Sequence, residues 1–190
     1  MASTSQRRGL SFTDPAPVGS ILAGGENVTE IHRILDQMDR AYSGDAWHGP
    51  SLIAVLDGIS AEDASTHAVA GAHSVWEIVN HIAAWHSIVE KRLKGETVEV
   101  TVERDWPTVW EVSDVAWSRA LENLAESRAR LRALIEGLQG AQLNGKPPTG
   151  NDSRYVILHG VIQHALYHGG QIAILKKAFQ SRFVAAKTPA

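Results

Sequence analysis

His164 and His168 lie four residues apart in YVILHGVIQHALYHGGQIAILKKAF (Tyr155 to Phe179), an apolar, proline-free stretch. At 3.6 residues per turn it makes about seven helical turns, and the two imidazoles stand one above the other. Ile157, Val161, Gln171, Ile172, Leu175 and Phe179 share their face, which should look toward a core. Such a pair is either a buried hydrogen-bonding couple or two-thirds of a metal site. His81 is the third candidate, in an earlier helix with Ile78, Trp85 and Ile88 beside it on an apolar arc. Three neutral imidazoles with one open position form the ligand set of a catalytic zinc site. Nickel, iron, copper or manganese are further candidates, since imidazole does not select one metal. A carboxylate-bridged di-iron centre does not fit, because it needs Glu-x-x-His on two helices.

Around these, Gln171 follows His168 by three residues, so its amide can orient a ligand ring, bind a metal-bound water or join a helix-interface bond. Trp85 and Tyr167 are candidate pocket walls. Glu77, four before His81, either accepts from a ligand imidazole or serves as an N-terminal helix charge. His86 points about 140° away from His81 on the helical wheel, which predicts a surface or interface position. His159 falls on the far side of its helix from His164, and His32 flanks the apolar stripe of the first helix as a possible pocket residue. His48 reads as a turn residue near a site mouth, and His67 and His73 as loop and cap.

Four long helices must position this set. Val28, Ile31, Leu35, Met38 and Tyr42 recur at helical spacing and predict the first over 27–43. Short helical turns follow near 52–58 and 60–63. The second long helix runs over 73–94, with Ser74 and Glu77 at capping-box spacing. Glu96 to Arg104 alternates charges with valine and threonine, as a short hairpin or extended excursion would. The third helix covers 113–138, and Ser153 opens the fourth. The fold class is therefore all-α, a four-helix bundle with short extra helices between the first two long ones. The first two long connections exceed tight hairpins, so one or two crossovers are expected.

The 190 residues suit one domain with a sizeable core. They divide into an arm (1–25), the bundle (26–180) and a C-terminal tail (181–190). There is no cysteine, so disulfides, thiolate ligands and a cysteine nucleophile are excluded, and any thiol must arrive with a substrate. With 18 basic and 21 acidic residues, no nucleic-acid footprint is expected. No apolar run spans a bilayer, and the arm lacks a secretory h-region, so a cytoplasmic protein is expected.

NHIAAWH (Asn80 to His86) and QHALYHGGQI (Gln163 to Ile172) resemble the two signatures of the DinB/YfiT superfamily. AWHGPSLIAVLDGISAEDA (Ala46 to Ala64) and ERDWP (Glu103 to Pro107) are similar to further segments of it. The resemblance implies a crossed four-helix bundle, commonly a homodimer, with a divalent-metal site whose ligands map onto His81, His164 and His168. It also implies thiol-dependent transferase or isomerase chemistry with a low-molecular-weight thiol, or metal-dependent hydrolysis. Gly169 stands where many relatives have a basic residue, which leaves the identity of an anionic substrate open. Without an evident inward carboxylate to take a proton from water, the thiol chemistry is the expectation. A non-catalytic metal-binding module is the competing class.

The fourth helix is apolar nearly all round, with Leu158, Ile162, Ala165 and Gly169 on a flank away from the histidines. A helix of that kind is buried on several sides, and a symmetric homodimer is expected to supply the extra cover.

Overall fold

The computed structural model of the chain describes residues 28–186; the expected N-terminal arm lies outside the described residues. Hydroxyl caps start most of the helices. Thr29 caps α1 (Glu30–Tyr42), Ser60 caps α3 (Ala61–Ser65), Thr101 caps α5 (Val102–Asp105) and Ser113 caps α6 (Asp114–Glu136). Ser74 opens α4 (Val75–Leu93) with the capping box predicted from its spacing to Glu77. Each cap satisfies an N–H that the first helical turn leaves unpaired. Between α1 and α3 lies α2 (Leu52–Leu56). The last helix, α7 (Arg154–Ala186), begins where Ser153 Oγ accepts from the Val156 N–H. It runs on past the expected end at Phe179.

The long helices α1, α4, α6 and α7 form the bundle. α4 packs on α6 and α7, and α1 packs on the same two from the opposite side. α1 therefore lies diagonally across from α4, and α6 across from α7. Both diagonal steps are crossovers, the first carried by α2 and α3 and the second by the loop between α6 and α7. The connection from α4 to α6, also too long for a tight hairpin, joins neighbours. Its length goes into an excursion that ends in α5. No strand forms there: Glu96 to Thr101 is irregular and Val102–Asp105 is one helical turn.

Two apolar clusters fill the interior. One joins α2, α3 and the N-terminal half of α4 to α6 and the later part of α7, through Leu56, Trp76, Val79, Trp117, Ile172 and Phe179. The other joins α1 to the opposite end of the bundle, through Ile34, Leu35, Val89, Leu131, Ile135 and Leu158. Asp39 of α1 pairs with Arg128 and Arg132 of α6 across the seam. Leu158 and Ile162, the flank assigned above to a partner copy, are buried in the second cluster by the chain itself. Gly169, from the same flank, faces Leu52 of α2. The outward line of α7 holds Val156, Tyr167 and Ile174, all exposed. Among the described residues, no helix is long and apolar enough to cross a membrane.

Candidate metal centre

α4 contributes His81 and α7 contributes His164 and His168, where the two helices pack together. The Nε2 atoms of all three rings meet: His81 to His164 at 2.9 Å and His168 to His164 at 3.1 Å. Candidate ligand atoms of the three lie within 4.8 Å of one another. Ligands of one tetrahedral zinc stand about 3.4 Å apart, a few tenths of an ångström wider than these two separations.

The outer nitrogens decide what the inner ones can do. His81 Nδ1 lies 2.7 Å from the Asp105 carbonyl oxygen and 3.2 Å from the Asp105 carboxylate. Both oxygens only accept, so Nδ1 carries the proton and Nε2 presents a lone pair. His168 Nδ1 donates to Gln171 Oε1 at 2.6 Å, which frees its Nε2 in the same way. Gln171, singled out above for its place beside His168, makes this bond through its amide oxygen. His164 Nδ1 is buried without a partner. With its proton on Nε2, His164 can donate to one neighbour only, and the lone pair of the other stays without a donor. With the proton on Nδ1, all three lone pairs converge. Either arrangement leaves negative potential at the meeting point, and a cation there relieves it. The donor set therefore fits a divalent metal ion.

Burial is the main reason that all three rings stay neutral. It lowers the His81 and His168 pKa values against the opposing pull of Asp105 and Gln171. His164 is brought to about 4, by burial first and then by the neighbouring imidazoles. Neutral imidazole is the form that ligates.

A cleft of about 660 Å³ opens onto the triad, walled by Trp85, Trp106 and Tyr167 and by the loop carrying Val69, Gly71 and Ala72. Among the described residues, no fourth His or acidic side chain joins the group. Trp85 and Tyr167, named above as candidate pocket walls, both line this cleft. Trp85 also donates from Nε1 to Asp105 Oδ1 at 2.8 Å, holding the carboxylate beside His81.

Asp105 and Trp106 are the residues that reasoning from the sequence missed. Trp106 is sandwiched between His73 (ring centroids 3.5 Å apart, 7° between planes) and His81 (3.9 Å, 8°). Asp105 is a carboxylate on the cleft, which corrects the expectation that none faced inward. The ERDWP segment held both residues, but its length and composition could not say that the excursion folds back over α4.

Apart from His73, which lines the cleft, the remaining histidines lie elsewhere. His86, expected at the surface, is buried. It donates from Nδ1 to Ser127 Oγ of α6 at 3.3 Å, because the serine's own proton goes to the Leu124 carbonyl. α4 packs on α6 as well as α7, so its second face is also interior. His32 completes the α1 capping box and stays out of the cleft. Glu77 caps α4 and pairs with His67 and His73, not with a triad ring. His159 stacks on Tyr155, apart from the triad, and His48 is exposed and outside the cleft lining.

No curated protein matches the sequence, and no solved structure does. One family model does, that of the DinB superfamily, over residues 46–172. That span starts in the turn after α1 and takes in His81, the Asp105–Trp106 wall, His164, His168 and Gln171. Covering well over half of the sequence, the match makes this chain a member of the DinB superfamily.

Proposed function

We propose that the protein is a divalent-metal-dependent enzyme, with His81, His164 and His168 as ligands through Nε2. The chemistry favoured is the activation of a low-molecular-weight thiol for transfer to, or isomerisation of, a small electrophile. The observation that carries the metal reading is the pinning of two outer nitrogens by Asp105 and Gln171, which turns the Nε2 lone pairs inward. When bound, the ion supplies a Lewis acid that lowers the pKa of a thiol or water reaching it. Zinc is the metal favoured by an all-imidazole set.

The chain's own residues then have distinct tasks. Gln171 and the Asp105 carbonyl fix the tautomer and angle of the His168 and His81 rings. Trp106 clamps the His81 ring face, and Trp85 holds the Asp105 carboxylate in place. An open cleft onto three ligands favours an enzyme over a structural metal site, where a fourth protein ligand is the rule. Metal-dependent hydrolysis is the second reading. It gains support from Asp105, which lines the cleft and can accept a proton there.

Exposed Tyr155 and Val156 at the start of α7, outside the cleft lining, support a symmetric homodimer. Light scattering that gives a monomer at micromolar concentration would count against it.

The deciding test has two arms. Metal analysis of the purified protein should find zinc or a related ion bound. The loaded protein should then convert electrophiles only when a small thiol is supplied. Conversion of ester or amide substrates without any thiol would favour the hydrolase instead.

A further inference from the structure

The cleft is unusual in which charges line it. Among the described residues that line it, none is lysine or arginine, and the only carboxylate is Asp105. Ile78, Ile174, Leu175 and Val69 supply aliphatic walls, and Trp85 and Tyr167 supply aromatic ones. Tyr167 and Ile174 are 66% and 65% exposed, so large apolar side chains stand open at the rim. A ligand with an apolar body would cover them and gain from their removal from water. The polar groups that do line the cleft are mostly committed already. His81 and His168 are bonded through Nδ1, and one oxygen of Asp105 takes the Trp85 N–H. Both faces of Trp106 are covered by imidazoles, which leaves its edge to border the space.

Anionic groups are recognised by guanidinium, ammonium, imidazolium or clustered backbone N–H donors. Among the described residues this cleft presents no guanidinium or ammonium, and its fourth imidazole, His73, pairs with Glu77 and stacks on Trp106. A carboxylate lodged away from the triad would lose its water and face Asp105 besides. Resting on the reading of this cleft as the substrate site of the metal centre, we propose that it selects a non-anionic apolar electrophile. The part of the substrate lodged between Tyr167, Ile174 and the loop at Val69 is an aromatic ring or branched alkyl group. It bears no carboxylate, phosphate or sulfonate.

The test separates cleft selectivity from metal chemistry by measuring binding before metal is added. Full-length, chelator-treated protein is titrated by calorimetry with 2-naphthamide and with 2-naphthoate, which differ in charge but share the ring. The amide should bind at least tenfold more tightly than the carboxylate. Asp105→Asn should narrow that gap, chiefly by improving naphthoate. Ile174→Asp, at an exposed position that the fold tolerates, should weaken the amide severalfold and so place it in the cleft. Naphthoate binding as tightly as the amide, or amide binding indifferent to Ile174→Asp, would overturn the proposal. Zinc content and zinc affinity, measured on the same preparation, report on the metal centre independently. A protein that holds no zinc but keeps the tenfold preference would sink the metal reading and leave the cleft's selectivity standing.

Discussion

His81 and His86 share one helix and expose 5% and 3% of their surface, yet their rings meet different chemistry. His81 turns its outer nitrogen to oxygens that only accept, and its inner nitrogen to two more imidazoles above a cleft. His86 meets a single serine hydroxyl on the other side of α4, among apolar neighbours and the Arg128 side chain. Burial is therefore a poor guide to a ligand. What separates the two is where the free lone pair points and whether further lone pairs meet it. His86 is the ordinary core histidine that a helix of this kind can always contain. His81 is one of a set whose mutual repulsion asks for a cation.

The sharpest way to break this contrast is to remove a ring from each side. His168→Ala should cut bound metal from about one ion per chain to a small fraction of that at micromolar supply. Chelator should lower the wild-type melting point, by the equivalent of about 2.7 kcal/mol when free metal stands 100-fold above Kd. The mutant should barely respond. An equal chelator response in both proteins would erase the distinction drawn here. His86→Ala should behave oppositely, costing about 1–3 kcal/mol through lost packing and the Ser127 oxygen left without its donor. That cost should be the same with and without chelator, and metal content should be unchanged. If metal content fell with it, His86 would belong to the site.

A smaller effect is expected one step out from the ligands. Gln171→Leu should weaken metal affinity by about 10–100-fold, while its melting point in chelator stays near that of chelated wild type. Competition with a chromogenic chelator measures the first quantity. An unchanged affinity would reduce the Gln171 bond to helix packing.

The mildest effect, near neutrality, is on pH dependence. Burial first, then the nearby His164 and Arg128, bring the folded His86 pKa from 6.5 to about 3. Between those values the unfolded chain binds the extra proton, so stability rises with pH across that window. The contribution is present above pH 6.5 and is lost as pH falls toward 3. Chelated His86→Gln should show a flatter acid limb than chelated wild type in denaturant melts over that range. Superimposable limbs would mean that other groups govern acid unfolding.

Much of this could be read from the chain because it is local. The 3.6-residue period, the Ser74–Glu77 box and the four-residue step from His164 to His168 depend on atoms within a turn or two of one helix. The two signature segments carried the site and its family for the same reason. A helical wheel, however, gives directions relative to one axis and says nothing of what stands there. It set His86 correctly away from His81, but could not say that α6 covers that side. It marked Leu158 and Ile162 as a separate apolar flank, but α1 and its neighbours bury them within the chain. Asp105 and Trp106 were beyond it altogether, because their meeting with His81 depends on an irregular excursion returning across α4. Such a return is set by packing between elements far apart in sequence, and only the tertiary structure decides it.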